Sequence, residues 1–587
     1  MRLQITKSKN AECFYVVKSV NNDGRRSNRV VERLGNLEEV RAKANGQEPH
    51  EWAKAYVDKL NEEIAEGREG EVLLRLSPGK KMDARQNVKR NVGQLYLKKL
   101  YYRLGWDAVI KGIAEKTDSE YDLDAIVQML LYTRILFPAS KKSSLEQSAC
   151  FVRPPKIELH QVYRALDVLA EHMDEIQEGI YQRTAAFCKR NTEVLYYDCT
   201  NFFFEIEEED EFRKYGKSKE HRPNPIIQMG LFIDGDGIPL AVTLFPGNES
   251  EQPSLKPLEK KIMQDFRLGE FVVCTDAGLA SEANRRFNCT QQRRYVVTQS
   301  LKSLAKPVQD WALEPEGWRK EGSGHDKWYN LRQLDEEAEK DSVFYKEQVV
   351  RIGGLDQRLI VTYSIKSRDY QRAVRQGQID RAIRTVQSRP KDMNRRNPND
   401  FRRLIQLSFF TDEGEISSHQ KMQVDEETIR REERFDGYYG VCTNILPPSN
   451  RYPDGKSTQD ILKINHMRWQ IEDCFRDLKT HFRSRPVFLS RENRIKAHFL
   501  LCCLSLILLK YLEKAVAAAA NEPFTAEFLL ANLRNMEMLQ IRDFGYLPAF
   551  QMSPLQAALQ DAFNIPLDAE ITTDRTMKKI LRSLSNL

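Results

Sequence analysis

The chain has 587 residues, of which 41% are hydrophobic and 30% are charged, and its formal net charge is +6. This composition is typical of a globular protein with several structural units, and it excludes a fibrous or intrinsically disordered chain. The ten cysteines include no CxxC pair, so we expect neither a cysteine-rich zinc site nor a disulfide framework.

The N-terminal segment predicts a hairpin followed by a helix, over residues 1–75. Two apolar runs, CFYVVKSV and RVVERLG, flank the polar turn NNDGRR, and a charged helical stretch follows. The first residues lack the apolar core of a secretory signal, so we expect a cytoplasmic protein. Helical periodicity then predicts an all-helical unit over residues 90–190.

From residue 194 the pattern changes to that of strands. VLYYDCTNFFFEI, IIQMGLFID and IPLAVTLFPGN follow one another, and a candidate helix leads to the apolar strand EFVVCTDAG. Three strands, a helix, a strand and further alternation predict a mixed α/β sheet, whose first part we place at residues 191–300.

Residues 301–445 have a different texture, with strands such as QRLIVTYSI and a basic stretch. Residues 366–403 contain twelve Lys or Arg against four Asp. Such a stretch can be a solvated helical face or a surface that follows phosphates, and the sequence leaves both open. We expect a β-rich insertion here.

Residues 446–520 are predicted to complete the α/β core, and residues 521–587 to form a helical tail. The apolar run FLLCCLSLILL has eleven residues, whereas a bilayer-spanning helix needs about twenty. A buried core helix is therefore expected.

Two aspartates stand at or near the ends of apolar strands, Asp198 in VLYYDCTNFFF and Asp276 in FVVCTDAG. Carboxylates at strand ends are where α/β sheets place ligands, although a single such aspartate is commonly a turn former. Together with Glu472, they could hold two divalent cations. Mg²⁺ is the expected ion, because paired Mg²⁺ ions catalyse displacement at phosphorus.

A single helix over RWQIEDCFRDLK would bring three charged side chains to one face. At about 100° per residue, Arg468 lies near −40°, Lys479 near −20° and Asn465 near +20° of Glu472. An ordinary i,i+4 ion pair between Arg468 and Glu472 is the alternative. If Glu472 holds a metal ion, Arg468 and Lys479 could contact phosphates on either side of the scissile bond.

These residues resemble the DDE transposases of bacterial insertion sequences, in the group with a Y-x2-R-x3-E-x6-K signature. The resemblance includes DCTNFFFE, GKSKEHRPNP, TDAGLASEAN and DGYYGVCTN. One departure is Asn465, which stands where the signature has tyrosine.

The resemblance implies an RNase H-like core interrupted by a β-rich insertion. It implies Asp198, Asp276 and Glu472 as ligands of two Mg²⁺ ions, for which Mn²⁺ can substitute, and Arg468, Lys479 and Asn465 as DNA contacts. It further implies binding of the element's terminal inverted repeats, hydrolysis at the ends, joining of 3′-OH ends to target DNA, and a homodimer. We expect the N-terminal hairpin and helical unit to recognise the ends.

In related enzymes an insertion tryptophan can stack on a flipped base, so Trp311, Trp318 and Trp328 are candidates, with core packing as the alternative. Three other functions are also open. The chain could be a DNA-binding or repressor derivative without catalysis, or another RNase H-like nuclease. A carboxylate pair could also hydrolyse sugars, but that would leave Arg468 and Lys479 unexplained.

Overall fold

The computed structural model describes the chain except for residues 9–10, 23–24, 66–87, 118, 291–292, 324–326, 389–399, 411–415, 542–543 and 586–587. The chain divides into two compact units, Met1–Gln86 and Asn87–Leu587. The two units are described separately below.

The first unit is an antiparallel three-stranded sheet followed by two helices. Its strands pair in the order β1-β2-β3, and β3 leads into α1 through a capping box between Asn36 and Glu39. The structure thus adds a strand and a helix to the predicted hairpin and helix. The elements are β1 (Arg2–Ser8), β2 (Ala11–Asn22), β3 (Arg25–Asn36), α1 (Leu37–Lys43) and α2 (Pro49–Ala65).

The second unit begins with a short strand and six helices. Buried apolar residues of these helices belong to the same hydrophobic cluster as residues of the main sheet, so the helical segment and the sheet share one core. The elements are β4 (Lys89–Asn91), α3 (Gln94–Arg103), α4 (Trp106–Lys116), α5 (Leu123–Leu136), α6 (Lys141–Gln147), α7 (Leu159–Glu171) and α8 (Met173–Phe187).

The central part of the main sheet contains five strands in the order β7-β6-β5-β8-β9. The first three form an antiparallel meander, whereas β5, β8 and β9 are parallel to one another. The prediction of a mixed α/β sheet is confirmed. The elements are β5 (Val194–Phe203), β6 (Ile226–Ile233), β7 (Pro239–Pro246), α9 (Leu255–Asp265), β8 (Val272–Thr275), α10 (Glu282–Phe287) and β9 (Arg294–Gln299).

Strands of the expected insertion extend this sheet. The full order is β10-β11-β12-β15-β9-β8-β5-β6-β7. Four strands from residues 301–445 therefore extend the sheet beyond β9, and β15 is the one that pairs with β9. The segment also contains the 24-residue helix α12. The elements are α11 (Lys306–Leu313), β10 (Arg319–Lys320), β11 (Val343–Ile352), β12 (Leu355–Ser364), α12 (Ile365–Ser388), β13 (Ile405–Phe410), β14 (Ile416–Val424), α13 (Glu426–Glu433) and β15 (Tyr438–Thr443).

Much of the basic stretch 366–403 is engaged within the fold, although residues 389–399 lie outside the described part. Arg375 is buried and forms an ion pair with Asp436. Arg403 pairs with Glu432 at 2.7 Å. For Arg375 and Arg403 the structure thus shows ion pairs within the fold, which is neither the solvated face nor the phosphate-following surface that the sequence left open.

The C-terminal part contains a long buried helix and a second sheet. The helix α16 is long and apolar enough to cross a membrane, but 89% of its most apolar window is buried inside the protein. Short strands pair in the order β18-β17-β16-β4, so the segment 521–587, expected to be helical, also contains strands that are too short to show a period. The elements are α14 (Thr458–His466), α15 (Trp469–Arg476), α16 (Glu492–Ala520), α17 (Ala526–Asn535), β16 (Glu537–Ile541), β17 (Gly545–Pro548), α18 (Pro554–Phe563), β18 (Thr572–Thr573) and α19 (Asp574–Ser583).

Candidate active site

Three parallel strands place polar side chains at one level on one face of the sheet. Tyr196 of β5 is the register partner of Cys274 of β8. Continued beyond the paired residues, this register leads to Asp198 and to Asp276, which directly follows β8, and the register of β8 and β9 leads to Thr298; the charge of Asp276 acts on Asp198. Side chains two residues apart share a face, and neighbouring strands are about 4.8 Å apart. The two aspartates are therefore neighbours.

Asp198 lies in a half-buried, electrostatically crowded position. Its Oδ1 accepts a hydrogen bond of 2.7 Å from the backbone N–H of Cys199. Burial raises the pKa of Asp198 to about 6; the Asp276 carboxylate adds to this shift, while the positive charges of Lys219 and Arg468 oppose it. Two carboxylates with cations around them are thus electrostatically coupled.

Asp276 is half-buried and directly precedes a turn. Its Oδ1 accepts a hydrogen bond of 3.0 Å from the backbone N–H of Leu279. A Cβ atom at Gly278 would lie 3.4 Å from the carboxylate oxygens. The turn-forming role that the sequence left open is therefore real, and it occupies Oδ1 of the carboxylate.

The structure corrects the prediction of one helix over residues 468–479. Arg468 is the N-cap of α15, separated from α14 by Met467, and Lys479 lies in a π-helical turn, Asp477–His481. At the junction, the backbone N–H of Ile471 donates to the carbonyl oxygen of Arg468, three residues back. Both changes alter the rotation per residue, so the angles calculated for a uniform helix do not apply.

Glu472 lies in the first turn of α15 and is exposed. This helix packs against β5. Across the described part of the chain, the Glu472 carboxylate has no hydrogen bond or ion pair, and no three His, Cys, Asp or Glu side chains are grouped closely enough to hold a metal ion. The structure brings Asp198 and Asp276 together but does not join Glu472 to them.

Thr298 connects the other predicted residues of this region. Its hydroxyl accepts a hydrogen bond of 3.0 Å from Nη1 of Arg468. It lies 3.5 Å from Oδ1 of Asn465, to which it can donate, and 2.8 Å from the hydroxyl of Tyr439. Tyr439 is 40% exposed, so an aromatic ring from β15 lies close to the position where the signature tyrosine is absent.

Lys479 also lies near Asp198. Its Nζ forms an ion pair of 3.3 Å with Glu220 and lies 5.5 Å from the centre of the Phe202 ring. Burial lowers the pKa of Lys479 to about 8; the positive charge of Lys219 adds to this shift, and the Asp198 carboxylate opposes it. The positive charges of Arg468 and Lys479 therefore both lie near Asp198.

A family model described as "Transposase DDE domain" matches residues 200–508, just over half of the chain. The chain belongs to the DDE transposase family. Asp276 and Glu472 lie within the matched residues, and Asp198 stands two positions before them.

Two solved structures of transposases show a distant likeness to this family member. The piggyBac transposase synaptic complex with hairpin DNA covers 85% of this chain and 86% of its own, with 10% identity and a TM-score of 0.36. The Mos1 transposase paired-end complex with the left transposon end covers 44% and 71%, with 11% identity and a TM-score of 0.14. The family assignment does not depend on them. No curated protein matches this sequence.

The three tryptophans of this DDE transposase have different surroundings. Trp318 is fully buried, and its Nε1 donates a hydrogen bond to the carbonyl oxygen of Glu314. Trp311 is half-buried. Trp328 is 59% exposed and stacks under the guanidinium of Arg319 at 4.6 Å. Of the three, Trp328 has the free aromatic face that base stacking needs.

DDE transposases use divalent metal ions, and the carboxylates described above are the candidate ligands. Carboxylate oxygens are the hard ligands that Mg²⁺ prefers. The Asp276 charge adds to the shift that raises the pKa of Asp198, and a cation between the two carboxylates would relieve this repulsion. The aspartate pair therefore fits a divalent cation, whereas Glu472 is not grouped with the pair in the described part of the chain.

Proposed function

We propose that this DDE transposase cleaves DNA at the ends of its own insertion sequence and joins the freed 3′-OH ends to target DNA. The observation that carries the proposal is the proximity of Asp198 to Asp276, with the positive charges of Lys219 and Arg468 close by, in a member of a transposase family. A phosphodiester backbone supplies the negative charge that such cations bind.

We assign Asp198, Asp276 and Glu472 as the ligands of two Mg²⁺ ions, for which Mn²⁺ can substitute. When bound, the ions supply an activated nucleophilic oxygen and stabilise the leaving oxygen. The chain itself contributes fixed carboxylates. The Cys199 N–H orients Asp198, and the Leu279 N–H orients Asp276.

We assign Arg468, Lys479 and Asn465 to DNA binding. Arg468 is held by Thr298, which leaves its remaining guanidinium N–H groups to grip a phosphate bidentately. Lys479 would act as a compact positive charge. The hydroxyl of Tyr439 is hydrogen-bonded to the same threonine. The exposed ring of Tyr439 supplies an aromatic surface that Asn465 lacks.

The proposed fold of the core is RNase H-like, as in the bacterial Y-R-E-K group. It is supported by the antiparallel meander β7-β6-β5 followed by the parallel strands β8 and β9. We further propose that the protein acts as a homodimer in the cytoplasm, because two element ends must be processed together. End recognition is assigned to the N-terminal hairpin and to the helical segment 90–190.

The proposal is tested with a plasmid that carries both ends of the element. Wild-type protein with Mg²⁺ should nick at the element boundary and leave 3′-OH ends, whereas Asp276→Asn should bind the same DNA without nicking it. The exposed Asp341→Asn serves as the matched control. Binding without nicking by the wild-type protein, with Mg²⁺ and with Mn²⁺, would instead support a repressor derivative. Nicking that ignores the element ends would support another RNase H-like nuclease.

A further inference from the structure

The loop between β5 and β6 carries a Lys-Glu pair to the edge of the candidate site. Its position is fixed to β5 by Asn201, whose amide donates to the carbonyl oxygen of Lys217 at 3.1 Å and whose Oδ1 accepts from the backbone N–H of Lys219 at 3.2 Å. A Cβ atom at Gly216 would lie 2.0 Å from the carbonyl oxygen of Gly247. The loop is therefore held close to the strand that carries Asp198.

Lys219 lies next to the aspartate pair. Its Nζ donates to the backbone carbonyl oxygen of Cys199 and forms an ion pair of 3.0 Å with Glu251. Its side chain is 41% exposed. A partly exposed ammonium group that adjoins Asp198 is therefore positioned where a phosphate that approaches the aspartates would meet it.

Glu220, the next residue, bridges two further cations. It forms ion pairs with Lys479 and Arg485. Its Oε1 is buried and has no hydrogen bond among the described residues. One carboxylate thus neutralises two positive side chains, one of which is already assigned to DNA binding.

These cations lie close to the aromatic rings of Phe202 and Phe203. Lys479 lies over Phe202, and the guanidinium groups of Arg485 and Arg222 lie 5.2 and 5.1 Å from the centre of the Phe203 ring. Positive groups on aromatic faces, partly removed from water, bind an anion more strongly than solvated ones. Both rings belong to β5, the strand that carries Asp198, although successive residues point to opposite faces of the sheet.

We propose that Lys219, Lys479 and Arg485 form a phosphate-binding site beside Asp198, and that Glu220 occupies this site until DNA displaces it. The assignment of this phosphate to the DNA backbone rests on the proposed function. A phosphodiester carries the same single negative charge as the Glu220 carboxylate. Its oxygens can accept hydrogen bonds from two cations in more directions than a carboxylate can. Because Glu220 is on a loop, its side chain can leave without disturbing the sheet.

The test measures DNA affinity against salt concentration for variants of this site, by fluorescence anisotropy, with one duplex of the element's end and one of unrelated sequence. Glu220→Gln removes the competing charge, so affinity should rise several-fold on both duplexes. The slope of log K against log salt should also become steeper, because the displaced Glu220 carboxylate of the wild type takes up a counterion and so offsets part of the counterion release from the phosphate. Lys219→Gln and Arg485→Gln should each weaken binding and make the slope shallower by about 0.9.

The control is Glu209→Gln, which breaks a 3.4 Å ion pair with Lys214 in the same loop and should leave affinity and slope unchanged. Unchanged or weaker binding by a folded Glu220→Gln protein, at an unchanged slope, would show that Glu220 only braces the loop. Should Glu220→Gln fail to fold, an unchanged salt slope in Lys219→Gln would equally overturn the proposal. Altered slopes in a protein that never cleaves element ends would leave the phosphate site standing and overturn the proposed function alone.

Discussion

Glu259 is a fully buried carboxyl group in α9, away from the aspartate pair. Its Oε2 accepts a hydrogen bond of 3.2 Å from Nδ2 of Asn288, and its Oε1 is buried without a partner among the described residues. Burial raises the pKa of Glu259 to about 7, opposed by the Asn288 hydrogen bond and the charge of Arg293. The folded protein therefore favours the protonated form of Glu259.

We predict that Glu259 makes the protein less stable as pH rises. Its folded-state pKa lies above the ordinary value of 4.5, so its stabilising contribution is complete below pH 4.5 and is lost as pH rises through about 7. Glu259→Gln should therefore be more stable than wild type at pH 8, by up to about 3 kcal/mol, and this advantage should vanish near pH 4. Urea unfolding at several pH values measures this, with the exposed Glu270→Gln as control. A constant difference across pH would refute it.

At the level of single residues, the sequence indicated the aspartates because each follows an unbroken apolar strand. It could not indicate Lys219, Glu220, Thr298 or Tyr439. Glu220, Thr298 and Tyr439 have partners more than a hundred positions away, such as Arg468 for Thr298, and Lys219 meets Cys199 and Glu251 only through the folded loop. Only the neighbouring strands and helices of the folded chain supply these partners.

At the level of elements, α15 and the π-helical turn after it show why a uniform helical period does not describe residues 468–479. Asp477, at the start of the π-helical turn, is buried and pairs with Lys510 of α16 at 2.8 Å. This contact belongs to the tertiary structure, and no local pattern of apolar residues contains it. Ile471, Phe475 and Leu478 of the same segment are all buried.

The loop that carries Lys219 and Glu220 should be sensitive to a single methyl group at Gly216. A Cβ there would lie 2.0 Å from a backbone carbonyl oxygen, which forces the backbone to move. We predict that Gly216→Ala costs roughly 1–3 kcal/mol of unfolding free energy and also weakens DNA binding. Gly269→Ala, where a Cβ meets nothing within 4 Å, should stay within about 0.5 kcal/mol of wild type. Equal stability of the two variants would contradict this close packing.

At the level of the whole molecule, the sequence predicted the mixed sheet but not its width. The alternation of strands and helices identified the five central strands. The continuation of the sheet through β15, β12, β11 and β10 depends on pairing between distant segments, which alternation does not encode. The helices of residues 90–190 likewise share the core of the sheet, and a sequence pattern gives no sign of such packing.

The division of the chain predicts where it can be shortened. Residues Met1–Gln86 form a compact unit of their own, so a protein lacking them should keep a cooperative thermal transition. A deletion to residue 140 should not, because it removes buried helices of the second unit. If the N-terminal unit recognises the element's ends, the shorter deletion should also lose end-specific binding and keep binding to unrelated duplex. Undiminished end preference would place recognition in residues 87–587.

The central claim is that three carboxylates of this transposase hold metal ions that cleave DNA. Its most direct test compares wild type with Glu472→Gln, which keeps the size of the side chain and removes its charge, on a duplex carrying the element's own end. We predict Mg²⁺-dependent nicking at the element boundary by the wild type and by the exposed control Glu522→Gln. Glu472→Gln should bind the duplex equally well and cut it at least about a hundredfold more slowly. Cleavage by Glu472→Gln at the wild-type rate would contradict the claim.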